Sequence, residues 1–319
     1  MGSFSKLKEI INKYQKFVLI CHENPDGDSV GSLMALTIAL ENIGKSVTPV
    51  STDEIPEIFR FIKNHHRIVT DFDETKYDVV ISLDNGDCRR TGCYQKILNI
   101  KKLRIPFINI DHHPKNDLWK MVDINYARPK MSSTCEVVYE ILNGLKIEIT
   151  SSIATALLTG IYTDTGGFQH PTTSKEVFTI TSLLLNKGAK LRKISENISN
   201  SKSVSMLKLW GIALNRLAII SCIGLVYSII TKEDISKVEA SEDEVSGLVN
   251  LINSIPESRI ALLLYETQDG KIKGSLRADS DNINLSKIAA LFGGGGHKRA
   301  SGFSVSGSLK QENGVWQIN

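Results

Sequence analysis

The sequence predicts an α/β protein: a doubly wound, mainly parallel sheet over residues 1–190, a linker over 191–210, and a smaller α/β unit over 211–319. Three observations predict it. In the first half, short apolar runs alternate with amphipathic ones, the pattern of strands and helices wound into a parallel sheet. The strong apolar runs end abruptly in acids or histidines, at the edge where open α/β sheets bind ligands. From residue 189 to about 205, Ser, Asn and Lys dominate, and a hairpin signal, Asp269-Gly270, appears only beyond that shift. With 319 residues the chain is long enough for two cores.

The elements follow in order. Residues 17–21 are apolar throughout and read as a buried strand. A turn, His22-Glu23-Asn24-Pro25-Asp26-Gly27-Asp28-Ser29, leads to an apolar-periodic helix over 30–40 with Ser29 as its expected N-cap. Gly44 stops it, 47–50 forms a short strand, and 55–62 reads as helix. The strand over 77–83 runs straight into Asp84-Asn85-Gly86-Asp87. After a short helix over 94–100, the strand over 105–110 runs into Asp111-His112-His113-Pro114. Ser132-Ser133-Thr134 caps a helix over 135–142 with Glu136 in its first turn. Thr150 opens a helix that ends in Asp164-Thr165-Gly166-Gly167-Phe168, and a helix over 175–185 stops before Gly188. The second unit reads as helix 207–217, strand 225–230, a Ser241-capped helix to 252, strands 259–265 and 272–278, helix 285–292, and a last strand 303–305.

Composition narrows the classes. The net charge of +3 announces no general nucleic-acid binding, so any basic surface is local. The five cysteines, Cys21, Cys88, Cys93, Cys135 and Cys222, are scattered without a CxxC pair. That argues against a disulfide framework or a thiolate zinc site and fits a reducing cytoplasm. Residues 1–16 lack the apolar core of a signal peptide, and the longest apolar-looking stretch, 217–230, falls short of the about 18–20 residues of a membrane span, so no membrane association is expected.

The strand ends carry the chemistry. His22, Asp26 and Asp28 follow the first strand, Asp84 the third, and Asp111, His112 and His113 the fourth; in a parallel sheet these converge along one edge. Asp164, before a Gly-Gly turn, is placed to join them. Taken singly, each is also an ordinary turn or cap residue. A calcium loop fails, because Val30 and Thr37 stand where oxygen ligands belong. Oxygen and imidazole donors without thiolates suit manganese and, less specifically, magnesium, iron or zinc. The count exceeds the needs of one ion and matches two ions about 3.5–4 Å apart sharing a carboxylate. The run Gly293–Gly296, then His297-Lys298-Arg299-Ala300-Ser301-Gly302, lacks Walker spacing, and its glycines would let backbone N–H groups approach a phosphate.

The ordered set His22-x-x-x-Asp26-x-Asp28, Asp84, Asp111-His112-His113 and Asp164-Thr165-Gly166-Gly167-Phe168 resembles the DHH phosphoesterase superfamily, and the 293–302 segment resembles the nucleotide-binding motif of the DHH-associated C-terminal domain. The resemblance covers nearly the whole chain, with the motifs in family order. The compact two-domain length is similar to the NrnA group of oligoribonuclease/pAp phosphatases and related pApA or cyclic-di-AMP phosphodiesterases. RecJ exonucleases are larger, and family II pyrophosphatases lack the GGGH motif.

The resemblance implies an active-site cleft between the two domains. It implies one manganese held by His22, Asp26 and Asp84, a second by Asp28, Asp84, His112 and Asp164, and a water between them that attacks phosphorus in line. Asp111 would orient a histidine and His113 would contact the scissile phosphate. Arg277, Gly294, Gly295, Gly296, His297, Arg299 and Ser301 would hold the nucleotide end. Arg89-Arg90 reads as solvated, and His170 has no assigned role. The expected activity is manganese-dependent degradation of short single-stranded oligoribonucleotides to mononucleotides and dephosphorylation of pAp to AMP. The alternatives are a pApA or cyclic-di-AMP phosphodiesterase and, in another class, a non-catalytic nucleotide-binding regulator. Few aromatics, 7%, argue against a long stacking platform and for short substrates. The resemblance allows a homodimer; the sequence itself is silent on oligomeric state.

Overall fold

A computed structural model of the chain describes residues 2–114, 117–198, 202–280, 282–312 and 315–319. It divides into two compact units, Met1–Ser201 and Lys202–Asn319. Residues 199–201, inside the expected linker, lie outside the described residues.

The first unit contains α1 (Ser3–Lys13), β1 (Lys16–Ile20), α2 (Gly27–Asn42), β2 (Ser46–Val50), β3 (Val79–Leu83), α3 (Tyr94–Leu103), β4 (Phe107–Asp111), β5 (Ile124–Ala127), α4 (Thr134–Leu145), α5 (Ser151–Asp164), α6 (Lys175–Asn186) and α7 (Leu191–Ile198). The five strands form one sheet in the order β2-β1-β3-β4-β5, with every pairing parallel. Both faces are covered, which is why these strands read as continuous apolar runs. Phe17 and Leu19 of β1 face the layer built from α1, α2, α4 and α5, while Val18 and Ile20 face the opposite layer with Ile97 and Ile100 of α3. The strand order reverses between β1 and β3, so the chain leaves these two neighbours in opposite directions and opens a crevice at their carboxyl ends.

The second unit contains α8 (Val204–Asn215), β6 (Ala218–Ile220), β7 (Leu225–Ile230), α9 (Lys232–Lys237), α10 (Leu248–Asn253), β8 (Ile260–Glu266), β9 (Lys271–Arg277), α11 (Leu285–Ala290), β10 (Gly295–Gly296), β11 (Ala300–Ser306), β12 (Leu309–Glu312) and β13 (Val315–Ile318). Its main sheet runs β10-β11-β9-β8-β7-β6 and is mixed: only β7 and β8 are parallel. Leu209 of α8 and Leu248 and Ile252 of α10 pack with Val226 and Ala261 in its largest apolar cluster.

Three local expectations are corrected. The cap of α2 is Asp26, not Ser29: the Asp26 carboxylate accepts the N–H groups of Asp28 and Ser29, each at 3.0 Å, and the helix starts at Gly27. The stretch 55–62 holds only a 3-10 turn, Glu57–Phe59. Ile55, Phe59 and Ile62 are buried at helix-like spacing, but extended Pro56 and left-handed Asn64 bound the segment. The helix expected after Ser241 is broken in two, because Gly247 takes φ +85° between a 3-10 turn at Glu242–Val245 and α10. Among the described residues no helix is long and apolar enough to cross a membrane.

Candidate metal centre

The crevice between β1 and β3 is lined from four directions. His22 leaves β1 buried, with Nδ1 2.7 Å from the Glu23 carbonyl. That carbonyl can only accept, so Nδ1 carries a proton, and in the neutral ring it is Nε2 that keeps the lone pair. Nε2 lies 3.7 Å from Asp26 Oδ1 and 3.6 Å from Asp84 Oδ2. Asp84 ends β3 in the left-handed region, φ +60°, an unfavourable place for a residue with a Cβ. Its second oxygen, Oδ1, lies 3.6 Å from His112 Nε2. One carboxylate therefore presents Oδ2 to His22 and Oδ1 to His112, and Oδ1 also lies 3.6 Å from His113 Nδ1.

His112 Nε2 also lies 3.3 Å from Asp164 Oδ2 and 3.9 Å from Asp28 Oδ2. Asp28 is fully buried in the first turn of α2, where it meets the N-terminus of α4. The N–H groups of Thr134 and Cys135 reach its two oxygens at 2.5 and 2.8 Å, an anion seated on a helix N-terminus. Thr134 Oγ1 donates to Asp84 Oδ1 at 2.9 Å. Asp164 is the last residue of α5, and α5 approaches α2 through glycines. A Cβ on Gly160 would lie 2.3 Å from Cys135 Sγ and 2.5 Å from Asp28 Oδ1, and one on Gly27 would lie 2.4 Å from Thr163 Cγ2. Only glycine permits this approach, which brings the start of α2 to the end of α5.

Asp111 closes β4 fully buried; its Oδ1 accepts from the N–H of His113 at 3.0 Å and faces His113 Nδ1 at 2.8 Å. The His113 proton is thus fixed on Nδ1. Donor atoms of His22, Asp26 and Asp84 lie within 4.8 Å of one another, as do those of Asp28, His112 and Asp164, and those of Asp84, His112 and His113. The last set is the weakest as a ligand group, because His113 Nδ1 is occupied by Asp111.

Charge crowding tests whether a cation fits. Burial and the Asp84 charge push the Asp28 carboxyl up to about 7. Asp84 is raised by burial, and Asp164 is raised well above the carboxylate range by burial and then by Asp28, Asp84 and Asp26. Burial works against ionised His22, but facing Asp26 and Asp84 lifts the ring to about 10. Asp26 is 55% exposed; what enclosure it has opposes ionisation, and its bonds to His22 and to the helix N–H groups outweigh that and hold it at about 2. For Asp111 and His113, burial opposes charge on both, and their mutual bond outweighs it, lowering the acid and raising the ring. Two buried acids and half-buried Asp164, which suppress one another's ionisation, with imidazole nitrogens facing them and no thiolate among the donors, are a fit for hard divalent cations.

The structure brings the six expected ligands, His22, Asp26, Asp28, Asp84, His112 and Asp164, into one cluster with Asp111 and His113 beside it. The second-unit residues gather at one end of their own sheet. Ala300 pairs with Arg277 and Ser301 with Leu276, and Gly295 and Gly296 pair with Gly302 and Ser301. Arg277 Nε donates to Asn250 Oδ1 at 2.9 Å, and the Arg299 carbonyl accepts the N–H of Ala278 at 3.0 Å. Ser301 is buried and its hydroxyl donates to the His297 carbonyl at 2.7 Å, shaping the loop. A Cβ on Gly294 would lie 2.2 Å from the Gly302 carbonyl, so the loop folds flat against β11. His297 is exposed. His170 packs over Gly166, with Nδ1 3.0 Å from the Asp164 carbonyl, and braces the turn after α5.

Sequence reasoning missed Thr134, Cys135, Gly27 and Gly160 as parts of the centre. A cap motif, Ser-Ser-Thr, was the only local signal for Thr134, and it does not say which anion the helix will face.

Fold and donor set define a class: an α/β protein with a cluster of oxygen and imidazole donors, fit for divalent cations, at the carboxyl edge of a parallel sheet. Residues 16–161 match the DHH family, N-terminal domain, and residues 223–315 match the DHHA1 domain. The chain belongs to the DHH family of phosphoesterases, hydrolases of phosphoric esters. It is 29% identical over 291 residues, 90% of this chain and 83% of the relative, to the bifunctional oligoribonuclease and PAP phosphatase NrnA of Thermus thermophilus. It is 28% identical over 305 residues, 96% of this chain and 93% of the relative, to the protein of the same description from Mycoplasma genitalium. Among solved structures, an exopolyphosphatase-related protein from Bacteroides fragilis superposes with TM-score 0.88 at 27% identity, covering 96% of this chain and 92% of that one.

Proposed function

We propose that this phosphoesterase degrades oligoribonucleotides of a few residues to mononucleotides and removes the 3′-phosphate of pAp, with two manganese ions as its cofactor. The observation that carries the two-ion reading is Asp84, whose Oδ2 faces His22 at 3.6 Å and whose Oδ1 faces His112 at 3.6 Å. His22, Asp26 and Asp84 would hold one ion; Asp28, Asp84, His112 and Asp164 would hold the other. Two such cations would supply Lewis acidity, acidifying a water and offsetting charge on the phosphoryl group. The relatives described as oligoribonuclease and PAP phosphatase support the substrate class.

The chain's own residues have distinct tasks in this reading. Asp111 keeps the His113 proton on Nδ1 and favours the charged ring, so His113 Nε2–H donates to a phosphate oxygen and protonates the leaving oxygen. The loop of Gly294, Gly295 and Gly296, with His297, Arg277 and Arg299, binds the nucleotide end; the Gly294 N–H, held by the Ala289 carbonyl at 2.9 Å, and the Ser301 hydroxyl keep that loop in shape. Cytoplasmic location fits the free thiols of all five cysteines.

The test is side-by-side turnover of pAp, short RNA, pApA and cyclic-di-AMP by the purified protein with manganese, beside Asp84→Ala and His112→Ala. Release of mononucleotide and of phosphate from pAp by the native chain, abolished in both variants, is expected. Full activity in the variants refutes the metal assignment, and turnover confined to pApA or cyclic-di-AMP refutes the substrate assignment.

A further inference from the structure

We infer that Arg90 is a substrate-phosphate receptor at the rim of the metal centre, a guanidinium that binds the scissile or adjacent phosphate from the side of His22 and His113. The inference rests on the phosphoester reading above.

The sequence treats Arg89 and Arg90 alike; the structure separates them. Arg89 is exposed, whereas Arg90 is half-buried. Both lie in a 3-10 turn, Arg89–Thr91, that is tied down along its length. Asp87 Oδ1 accepts the N–H groups of Arg89 and Arg90 at 2.8 and 2.9 Å, and Thr91 Oγ1 donates to the Cys88 carbonyl at 2.8 Å. The N–H of Glu23 donates to the Arg90 carbonyl at 2.7 Å, so the turn after β3 is laced to the turn after β1 that carries His22. Gly92, at φ +67°, ends it. The backbone of Arg90 is therefore as well fixed as that of the ligands.

The guanidinium has no acceptor among the described residues. Its Nη2 comes to 3.4 Å from His22 Nδ1, but that nitrogen already gives its proton to the Glu23 carbonyl at 2.7 Å and cannot accept a second. No carboxylate of the described residues lies within the 4.0 Å of an ion pair with Arg90, although five aspartates crowd the neighbouring centre. Asp87, the nearest in sequence, is engaged with backbone N–H groups instead. On its other side the guanidinium borders Gly86: a Cβ there would lie 3.6 Å from Arg90 Nη1 and 3.4 Å from the His113 ring. Gly86 thus keeps open a space flanked by Arg90 and His113.

A half-buried guanidinium without a protein acceptor keeps its donors for an anion that arrives later. Its planar fork suits two oxygens of one phosphate.

The experiment compares the native chain with Arg90→Ala, Arg90→Gln and Arg90→Lys. Three readouts are taken: manganese affinity by titration, kinetics on pAp and a short RNA, and calorimetric binding of inorganic phosphate to the manganese-loaded protein. Losing a bidentate charged contact is expected to weaken phosphate binding and raise KM about tenfold to a hundredfold. Manganese affinity should stay within about twofold, because Arg90 touches no ligand oxygen. Arg90→Lys should recover only part, being a point charge, and added guanidinium ion should partly restore Arg90→Ala. Unchanged KM and unchanged phosphate binding in the variants overturn the inference, as does an equal loss of manganese affinity. If the native chain turns over none of the substrates, the functional reading falls by itself, and the phosphate-binding comparison still decides the role of Arg90. Should Arg90→Ala fail to fold, the Gln and Lys variants give the same decision.

Discussion

Thr134→Val removes one hydroxyl from the centre and leaves everything else in place. The side chain keeps its shape, and its N–H still reaches Asp28 Oδ2. What disappears is the 2.9 Å bond from Thr134 Oγ1 to Asp84 Oδ1, in a fully buried site. A hydrogen bond to an ionised group contributes about 1.5–3 kcal/mol, and it counts in full only while Asp84 is charged. Without a cation, burial favours the protonated acid, so the metal-free protein loses little. With a cation Asp84 must ionise, and the missing donor is felt. The expected loss of manganese affinity is about tenfold to a hundredfold, the range for partners that orient metal ligands. The assay is titration with manganese, following the free ion by its paramagnetic resonance, on the native chain, Thr134→Val and Thr134→Ser. Serine restores the hydroxyl and should restore most of the affinity. Native affinity in Thr134→Val, or no recovery in Thr134→Ser, refutes the assignment of that hydroxyl to Asp84.

Three further outcomes follow from the same geometry. Gly160→Ala puts a methyl 2.5 Å from Asp28 Oδ1 and should lower stability by about 1–3 kcal/mol while weakening manganese binding; unchanged melting and affinity would show that α2 and α5 have room to part. Asp111→Asn removes the bond that raises the His113 pKa, so the alkaline limb of the kcat profile should move to lower pH, with manganese affinity kept; an unmoved limb rules out His113 as the proton donor. In chelator, stability should fall from about pH 4 to about pH 10. The folded pKa of Asp28 is raised from 3.8 to about 7 and that of His22 from 6.5 to about 10, so each contribution is present below the unfolded value and lost as pH rises through the folded one. Manganese should reverse the trend, since the ligands bind it deprotonated, and a flat melting profile in chelator would count against the crowding of charge.

The residues legible in the sequence were those whose position follows from chain order alone. A strand buried on both faces announces itself as an apolar run, and the next polar residue must sit at the sheet edge; His22, Asp84 and Asp111 were placed that way. The elements it missed depend on contacts between distant segments. α1 and β5 pack on each other at the sheet edge, and only that contact between distant segments makes them necessary. Gly27, Gly31 and Gly160 look like weak points of helices. Their function is to let α2 and α5 touch, since a Cβ on Gly31 would lie 2.5 Å from the Ala156 carbonyl. The false helix at 55–62 has the same origin in reverse: its buried residues keep helical spacing, and Pro56 decides the backbone.

That contact between α2 and α5 explains why two aspartates only two residues apart face different sides. Asp26 keeps the extended backbone of the N-cap whereas Asp28 is already helical, so the two side chains leave the turn in different directions. Asp26 stands at the cap, where its Oδ1 holds the first N–H groups and looks back toward His22. Asp28 points the other way, into the N-terminus of α4 and toward His112 and the end of α5. Asp26 can reach only the side of β1, and Asp28 only the side of β4 and α5. Asp84, arriving from β3 between them, is the one carboxylate placed to face both. The different facing of the two carboxylates is thus set by the boundary between cap and helix. Moving Asp28 by one position along α2 would swing it through about 100° and remove it from its partners, whatever its chemistry.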